Sequence, residues 1–312
     1  MRVFVAGASG VLGRPLVRQL LAAGHRVTGM TRREEAAEEL RAAGAEAVVC
    51  DVYDADALRE AMVAAKPEAV VHVLTALPQR FKPREDYLGP TNRVRTEGTR
   101  NLVAAARASG AKRLVAESVA FFYEPRGGWV KDEGAPLMSD PPGRIGAGAA
   151  ALKDLEAQVL GAEGIDGLVL RFGWLYGPGT YFDRDGTMAE ETLRRRNPII
   201  GAGTGTYSFI HVEDAASAIV SALHKGGRGV YNVVDDEPAR QSEWLPVYAR
   251  ELHAKPPRRV PVWLAGLFAG RDLVGATAAM RGAANGKAKR ELGWTPAHPS
   301  WRRGFAESLT PK

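Results

Sequence analysis

Cysteine is almost absent. Cys50 stands alone among 312 residues, so no disulfide can close within the chain and a reducing compartment is expected. It ends an apolar segment and reads as a small buried hydrophobe rather than a nucleophile. Long hydrophobic runs are also missing. The longest, Val260 to Gly270, is too short to span a bilayer and runs into Arg271-Asp272, so no membrane partner is expected. The opening Met1-Arg2-Val3-Phe4-Val5-Ala6 passes straight into glycine without the extended apolar core of a signal peptide, which points to the cytoplasm. The net charge is +6, but the basic residues are scattered and form no aromatic–basic module. Nucleic acid is therefore not an expected partner, and an anionic cofactor or substrate accounts for the charge equally well. The one dense cluster, Arg194-Arg195-Arg196, reads as a solvated helix end or an anion site. Asp235-Asp236-Glu237 has no His or Cys close in sequence, so no metal site is expected.

What the chain does have is alternation. Short β-branched runs at Arg2–Ala6, Arg26–Met30, Ala45–Asp51, Ala69–Leu74, Arg113–Ser118 and Gly167–Phe172 are separated by segments with helical spacing, such as Leu12–Ala23, Ala55–Ala65 and Glu97–Ser109. Nearly all-apolar strands alternating with helices predict an α/β fold, a doubly wound parallel sheet of Rossmann type covered on both faces. Pro125 to Gly148 breaks the rhythm and reads as a long functional loop. After Gly177-Pro178-Gly179 the pattern becomes mixed, with a helix near Thr187–Arg196, a strand near Ser208–Val212, a helix at Asp214–His224 and a strand at Val230–Val233. The expected division is a dinucleotide-binding domain over 1–178, to which 208–236 returns. A smaller, mostly helical substrate cap covers 179–207 and 237–312.

Gly7-Ala8-Ser9-Gly10-Val11-Leu12-Gly13 follows the first strand and opens the first helix. Glycines at this spacing allow a tight turn, close backbone approach to a pyrophosphate and close helix–strand packing. The phosphates then sit on free amides at the positive end of the helix. An NAD site would place an acid at the end of the second strand; here stands Met30-Thr31-Arg32-Arg33. Arg32 suits a 2′-phosphate, and NADP(H) is expected rather than NAD(H). Glu34 and Glu35 fall in the first turn of a helix, where acids are favoured anyway. Asp51 and Val52, ending the third strand, belong beside the adenine.

The order of these pieces resembles an extended short-chain dehydrogenase/reductase of the NAD-dependent epimerase/dehydratase type. The resemblance is carried by Gly7–Gly13, Asp51-Val52, Val70–Thr75, Glu97–Leu102, Arg113–Val115 with Ser118, Leu170-Arg171, Tyr176–Gly179, Phe209–Asp214 and Lys289–Trp294 with Pro296. It implies cofactor contacts from Gly7, Ser9, Gly10, Val11, Leu12, Gly13, Leu74 and Thr75. Lys153, on a helix after the long loop, would hold the nicotinamide ribose. The family's acid/base tyrosine lies four residues before this lysine, and that position is Ala149, which marks the chain as an atypical member. At the family's serine position, counting back from Tyr123 selects Val119, with Ser118 one residue early. Arg95 replaces the usual active-site asparagine three residues before Gly98.

Lys153, Ser118 and Tyr123 are the candidate catalytic residues, with Tyr176 a further hydroxyl near the same end. His211 reads as structural, packing the cap to the sheet, and His72 as a satisfied core histidine. Trp129, Trp174, Tyr181, Phe182 and Tyr207 are expected around an aromatic-lined pocket. The expected activity is NADP(H)-dependent reduction of a small or medium organic carbonyl, enone or imine. The alternatives are a non-catalytic NADP(H)-binding redox sensor and a nucleotide-sugar epimerase or dehydratase. A homodimer through Asp86–Ser109 and Ala149–Glu163 is what the resemblance implies for assembly.

Overall fold

A computed structural model describes residues 1–78, 80, 88–139 and 143–310. The amino-terminal part runs β1 (Arg2–Ala6), α1 (Gly13–Ala22), β2 (Arg26–Thr31), α2 (Glu34–Ala42), β3 (Glu46–Val49), α3 (Ala55–Ala65), β4 (Ala69–His72) and α4 (Leu88–Arg93). A π-helical turn at Val94–Gly98 leads into α5 (Thr99–Ser109), β5 (Arg113–Val119), β6 (Val130–Lys131), α6 (Gly143–Leu160), β7 (Asp166–Phe172) and β8 (Trp174–Tyr176). Then follow α7 (Thr187–Leu193), β9 (Ile199–Ile200), β10 (Thr206–Tyr207), β11 (Phe209–His211), α8 (Val212–Ala222), β12 (Gly229–Val233) and β13 (Ala239–Arg240). The chain closes with α9 (Gln241–Glu251), β14 (Arg259–Val260), α10 (Val262–Ala269), α11 (Arg271–Ala279), β15 (Gly282–Ala283), α12 (Gly286–Leu292) and α13 (Trp301–Leu309).

Seven strands form one sheet in the order β12-β7-β5-β4-β1-β2-β3, with every neighbouring pair parallel. The strands are apolar because both faces are covered. Val3, Val5, Val71, Val115, Leu168 and Leu170 pack on one side with Leu16 and Leu20 of α1 and Ile219 of α8. Phe4, Val70, Leu114 and Val169 face the other side, against Leu58 of α3, Leu102 of α5 and Leu155 of α6. The chain goes outward from β1 through β2 to β3, then returns to lay β4 on the other flank of β1. That reversal is the switch point where doubly wound sheets bind ligands, at the carboxyl ends of the strands.

A third core lies outside the sheet and is built of aromatics. Phe182, Phe209, Trp244, Tyr248 and Phe305 interlock, with Phe209 and Phe305 edge-to-face at 5.3 Å and Phe182 and Tyr248 at 5.5 Å.

The structure revises two readings. The stretch expected as a loop to Gly148 becomes helix at Gly143, and Val130–Lys131 pairs with β15. Gly143, Gly146 and Gly148 mask that helix in sequence, since glycine disfavours helices. A Cβ on Gly148 would stand 3.4 Å from the Phe122 ring, so the small residue serves packing. The helix expected from Glu97 instead enters through the π turn, which crosses Val52 closely at Gly98. Asp86, where one expected dimer stretch begins, lies outside the described residues, as do positions 140–142 of the expected loop.

Candidate active site

The glycine turn sits at the switch point. Gly7 has φ +98°, and a Cβ there would stand 2.7 Å from the Val73 carbonyl oxygen just past β4. A Cβ on Gly13 would lie 2.1 Å from the Gly7 oxygen, so only glycine lets α1 start against the turn. Gly10 closes it, donating its amide to the Gly7 oxygen at 3.0 Å. Helix α1 begins at Gly13 with no capping side chain; Arg14 donates to the Gly10 oxygen, Leu16 to the Leu12 oxygen and Pro15 has no amide proton, so the amides of Val11, Leu12 and Gly13 are those left for an anion. A cradle that admits no Cβ and a helix start without a cap fit a pyrophosphate.

The flanking residues complete the recess. Ser9 Oγ and Thr31 Oγ1 are 3.1 Å apart and tie the turn to the end of β2. Val11 is exposed while Leu12 is buried beneath it. Arg32 and Arg33 are exposed beyond Thr31, and Glu34 is engaged by Arg41 at 2.6 Å. The first acids after β2 thus lie in the opening turn of α2, and Arg32 holds the position at the strand's end. Asp51 is exposed and accepts the Tyr53 amide at 3.0 Å, while Asp54 caps α3 through the Ala57 amide. Val52 is buried, and its carbonyl oxygen accepts from Asn101 Nδ2 at 2.9 Å. Leu74 is half-buried and Thr75 exposed. Burial, with the neighbouring carboxylates Asp54 and Asp51, pushes the Cys50 thiol above its ordinary range.

The three candidate catalytic residues separate. Lys153 lies exposed on α6, its ammonium 3.5 Å from the Ser139 oxygen. Ser118 and Tyr123 instead join one buried network. Ser118 Oγ donates to Glu156 Oε1 at 2.8 Å, and Arg171 donates to both carboxylate oxygens at 2.8 and 2.6 Å. Arg171 Nη1 also donates to the Tyr123 hydroxyl at 3.0 Å, which donates in turn to Asn232 Oδ1 at 2.6 Å. Both hydroxyl protons are committed, and Lys153 is the one of the three left exposed. Ala149, one turn before it, is buried against Phe122 and Leu152.

Tyr176 is fully buried against Phe209, His211 and Phe305, and burial drives its hydroxyl far above the ordinary range. His72 Nδ1 accepts the Leu74 amide at 3.3 Å, which places its proton on Nε2, 3.0 Å from Thr99 Oγ1. Burial, with the nearby Arg95 charge, lowers its pKa to about 4. His211 caps α8 by accepting the Glu213 amide and stacks on His298 at 3.9 Å. Burial lowers it to about 4 as well. Its role here is in joining α8 to the closing segment, where Asp214 accepts the amides of Ala297 and His298.

Of the residues expected around a pocket, Phe182 and Tyr207 belong to the aromatic core, where their neighbours exclude solvent. Trp174 stacks on Phe121 at 4.4 Å, both half-buried, and Trp129 lies under the Arg281 guanidinium at 3.9 Å. Among the described residues no three His, Cys, Asp or Glu gather as metal ligands.

One charged group escaped the sequence reading. Glu117 is in register with Leu170 at the carboxyl end of β5, on the face that carries Val115 and Val119. Its side chain is half-buried. Burial pushes its carboxyl up to about 7 against the pull of Arg95 on the π turn. Arg95 Nη1 is itself buried with no hydrogen-bond partner among the described residues. The signal was available: Glu117 is the lone acid inside the apolar run Leu114–Val119.

Residues 3–233 match the family model described as the NAD dependent epimerase/dehydratase family. A Streptomyces protein named 3-diazoavenalumate denitrifying reductase is 47% identical over 306 residues, covering 98% of this chain and 99% of its own. The ceramide reductase of Caulobacter vibrioides is 27% identical, covering 97% and 88%. Among solved structures, a Thermotoga maritima UDP-glucose 4-epimerase with UDP-glucose superposes at TM-score 0.77 with 20% identity, covering 99% of this chain and 97% of that one. A dTDP-glucose 4,6-dehydratase from Streptomyces venezuelae, solved with NAD, superposes at 0.75 with 21% identity, covering 99% and 96%. The chain belongs to the NAD-dependent epimerase/dehydratase family and is an NAD(P)-dependent oxidoreductase.

Proposed function

We propose that this family member is an NADP(H)-dependent reductase of a small organic electrophile, and that its acceptor is an aryl diazo acid rather than a carbonyl, enone or imine. The observation that carries the reading is the fate of the hydroxyls. Ala149 stands where the family's proton-donating tyrosine is expected, and Ser118 and Tyr123 have their protons bound inside the Glu156–Arg171 network. A carbonyl oxygen must gain a proton as its carbon is reduced. A diazonium carbon needs none: hydride adds, the carbon–nitrogen bond breaks with its electron pair, and the nitrogen leaves as dinitrogen. The Streptomyces relative, named for denitrifying a diazo compound, supports the same choice.

The reduced nicotinamide, when bound, supplies the hydride. The Gly7–Gly13 turn would hold the pyrophosphate on its free amides at the start of α1, and Arg32 the 2′-phosphate through its planar fork. Asp51, Val52, Leu74 and Thr75 border the adenosine half, and Lys153 holds the nicotinamide ribose. The half-buried Phe121–Trp174 pair offers a flat apolar wall to an aromatic ring. Residues 1–178 with 208–236 carry the cofactor in this reading, and 179–207 with 237–312 cover the substrate.

The test is NADPH oxidation against a panel of aryl diazo acids, ketones, enones and imines. Oxidation with the diazo acids, lost in Lys153→Ala, is the expected result. A panel in which only carbonyl compounds turn over overturns the choice of acceptor, and one that is silent throughout overturns the reductase.

A further inference from the structure

Helix α10 lies in the stretch that covers the substrate in the reductase reading, but its exposed side chains have no role assigned there. Val262, Trp263, Leu267 and Phe268 are 47%, 70%, 66% and 85% exposed, and Leu273 on α11 adds 41%. Ala265 alone among its described apolar side chains is buried. A run of large apolar side chains this exposed on a folded surface marks an interaction site. The helix is held rather than loose: β14, just before it, pairs in parallel with β9, and a Cβ on Gly201 would meet Val262 at 2.9 Å.

Charge says what covers it. Between positions 255 and 273 stand Lys255, Arg258, Arg259 and Arg271 against one acid, Asp272. All four cations are exposed, and none forms an ion pair among the described residues. A second copy is a poor occupant. A twofold contact would set each basic cluster near its own image. An exposed apolar helix with exposed cations in the segments on either side of it is instead suited to a lipid headgroup layer, where the apolar side chains enter the interface and the cations meet anionic headgroups. Among the described residues no helix is long and apolar enough to cross a membrane, so the contact is peripheral.

We infer that the α10–α11 hairpin docks the protein on an anionic lipid surface, with Trp263, Leu267 and Phe268 entering the interface and Lys255, Arg258, Arg259 and Arg271 meeting the headgroups. This goes beyond the expectation that no segment spans a bilayer, and it is independent of which substrate is reduced.

The experiment is co-flotation of the full chain with phosphatidylcholine vesicles, with and without phosphatidylglycerol, at low and high salt. Binding to the anionic vesicles, weakened by salt, is expected. Trp263→Ser with Phe268→Ser should lower the partition by about a hundredfold, since each buried large side chain is worth about tenfold or more. Arg258→Glu with Arg259→Glu should remove the preference for phosphatidylglycerol while leaving NADPH binding unchanged. This second variant carries the test if the first fails to fold. A wild-type chain that stays in the buffer fraction, or a charge variant that floats as well as the wild type, overturns the inference. So does a dimer by light scattering that the first variant abolishes, which would give the face to a second copy.

Discussion

Replacing Glu117 by glutamine should stabilise the protein at alkaline pH and leave it unchanged in acid. The carboxyl is pushed from 4.5 to about 7 by burial, against the opposing field of Arg95. Below the ordinary value both folded and unfolded chains hold the proton, so the residue contributes no pH-dependent difference. Between the two values the folded chain keeps a proton that the unfolded chain has released, and stability falls as pH rises. Above about 7 the whole penalty is present, and the size of the rise corresponds to roughly 3 kcal/mol. Glu117→Gln removes the ionisation while keeping the shape. Urea unfolding of both proteins at about pH 5 and about pH 8 gives the difference directly. The variant should gain roughly 3 kcal/mol on the wild type over that span, or about 5 °C in Tm for a chain of this size. Parallel stability curves across the range would refute the reasoning that burial outweighs the Arg95 charge at this carboxyl.

Other predictions concern the cofactor recess and the buried network. Arg32→Ala should weaken NADPH roughly 10- to 100-fold, the worth of charged hydrogen bonds to a phosphate, and leave NADH nearly unchanged by fluorescence titration. Gly13→Ala places a Cβ 2.1 Å from the Gly7 oxygen, so NADPH binding should vanish although circular dichroism still reports a folded chain. Glu156→Ala strands Arg171, whose side chain is 6% exposed, and should cost about 3–5 kcal/mol in chemical unfolding.

The sequence carried the sheet and the phosphate turn because both are written locally. Strand and helix periods alternate through β1 to β7, and the three glycines fall within seven residues of one turn. The α3 boundaries follow from Asp54 as a cap and the apolar positions behind it. Helix α6 was harder to see at its start because glycines chosen for close packing look like loop. The buried network was not legible at all. Ser118 meets Glu156 across 38 positions and Tyr123 meets Asn232 across 109, so only tertiary folding reveals that their protons are spent. Read alone, each looked like a free hydroxyl near the site. Glu117 lay in plain view in β5, but its meaning depends on Arg95, which reaches it from a different element.

Hydride transfer to a carbon that releases dinitrogen is the claim on which the functional account rests. Incubation with NADPH deuterated on the transferring face and an aryl diazo acid should give one dinitrogen per NADPH consumed. The product should carry deuterium at the carbon that bore the diazo group. Dinitrogen loss with solvent hydrogen at that carbon, or NADPH oxidation without dinitrogen, would contradict it.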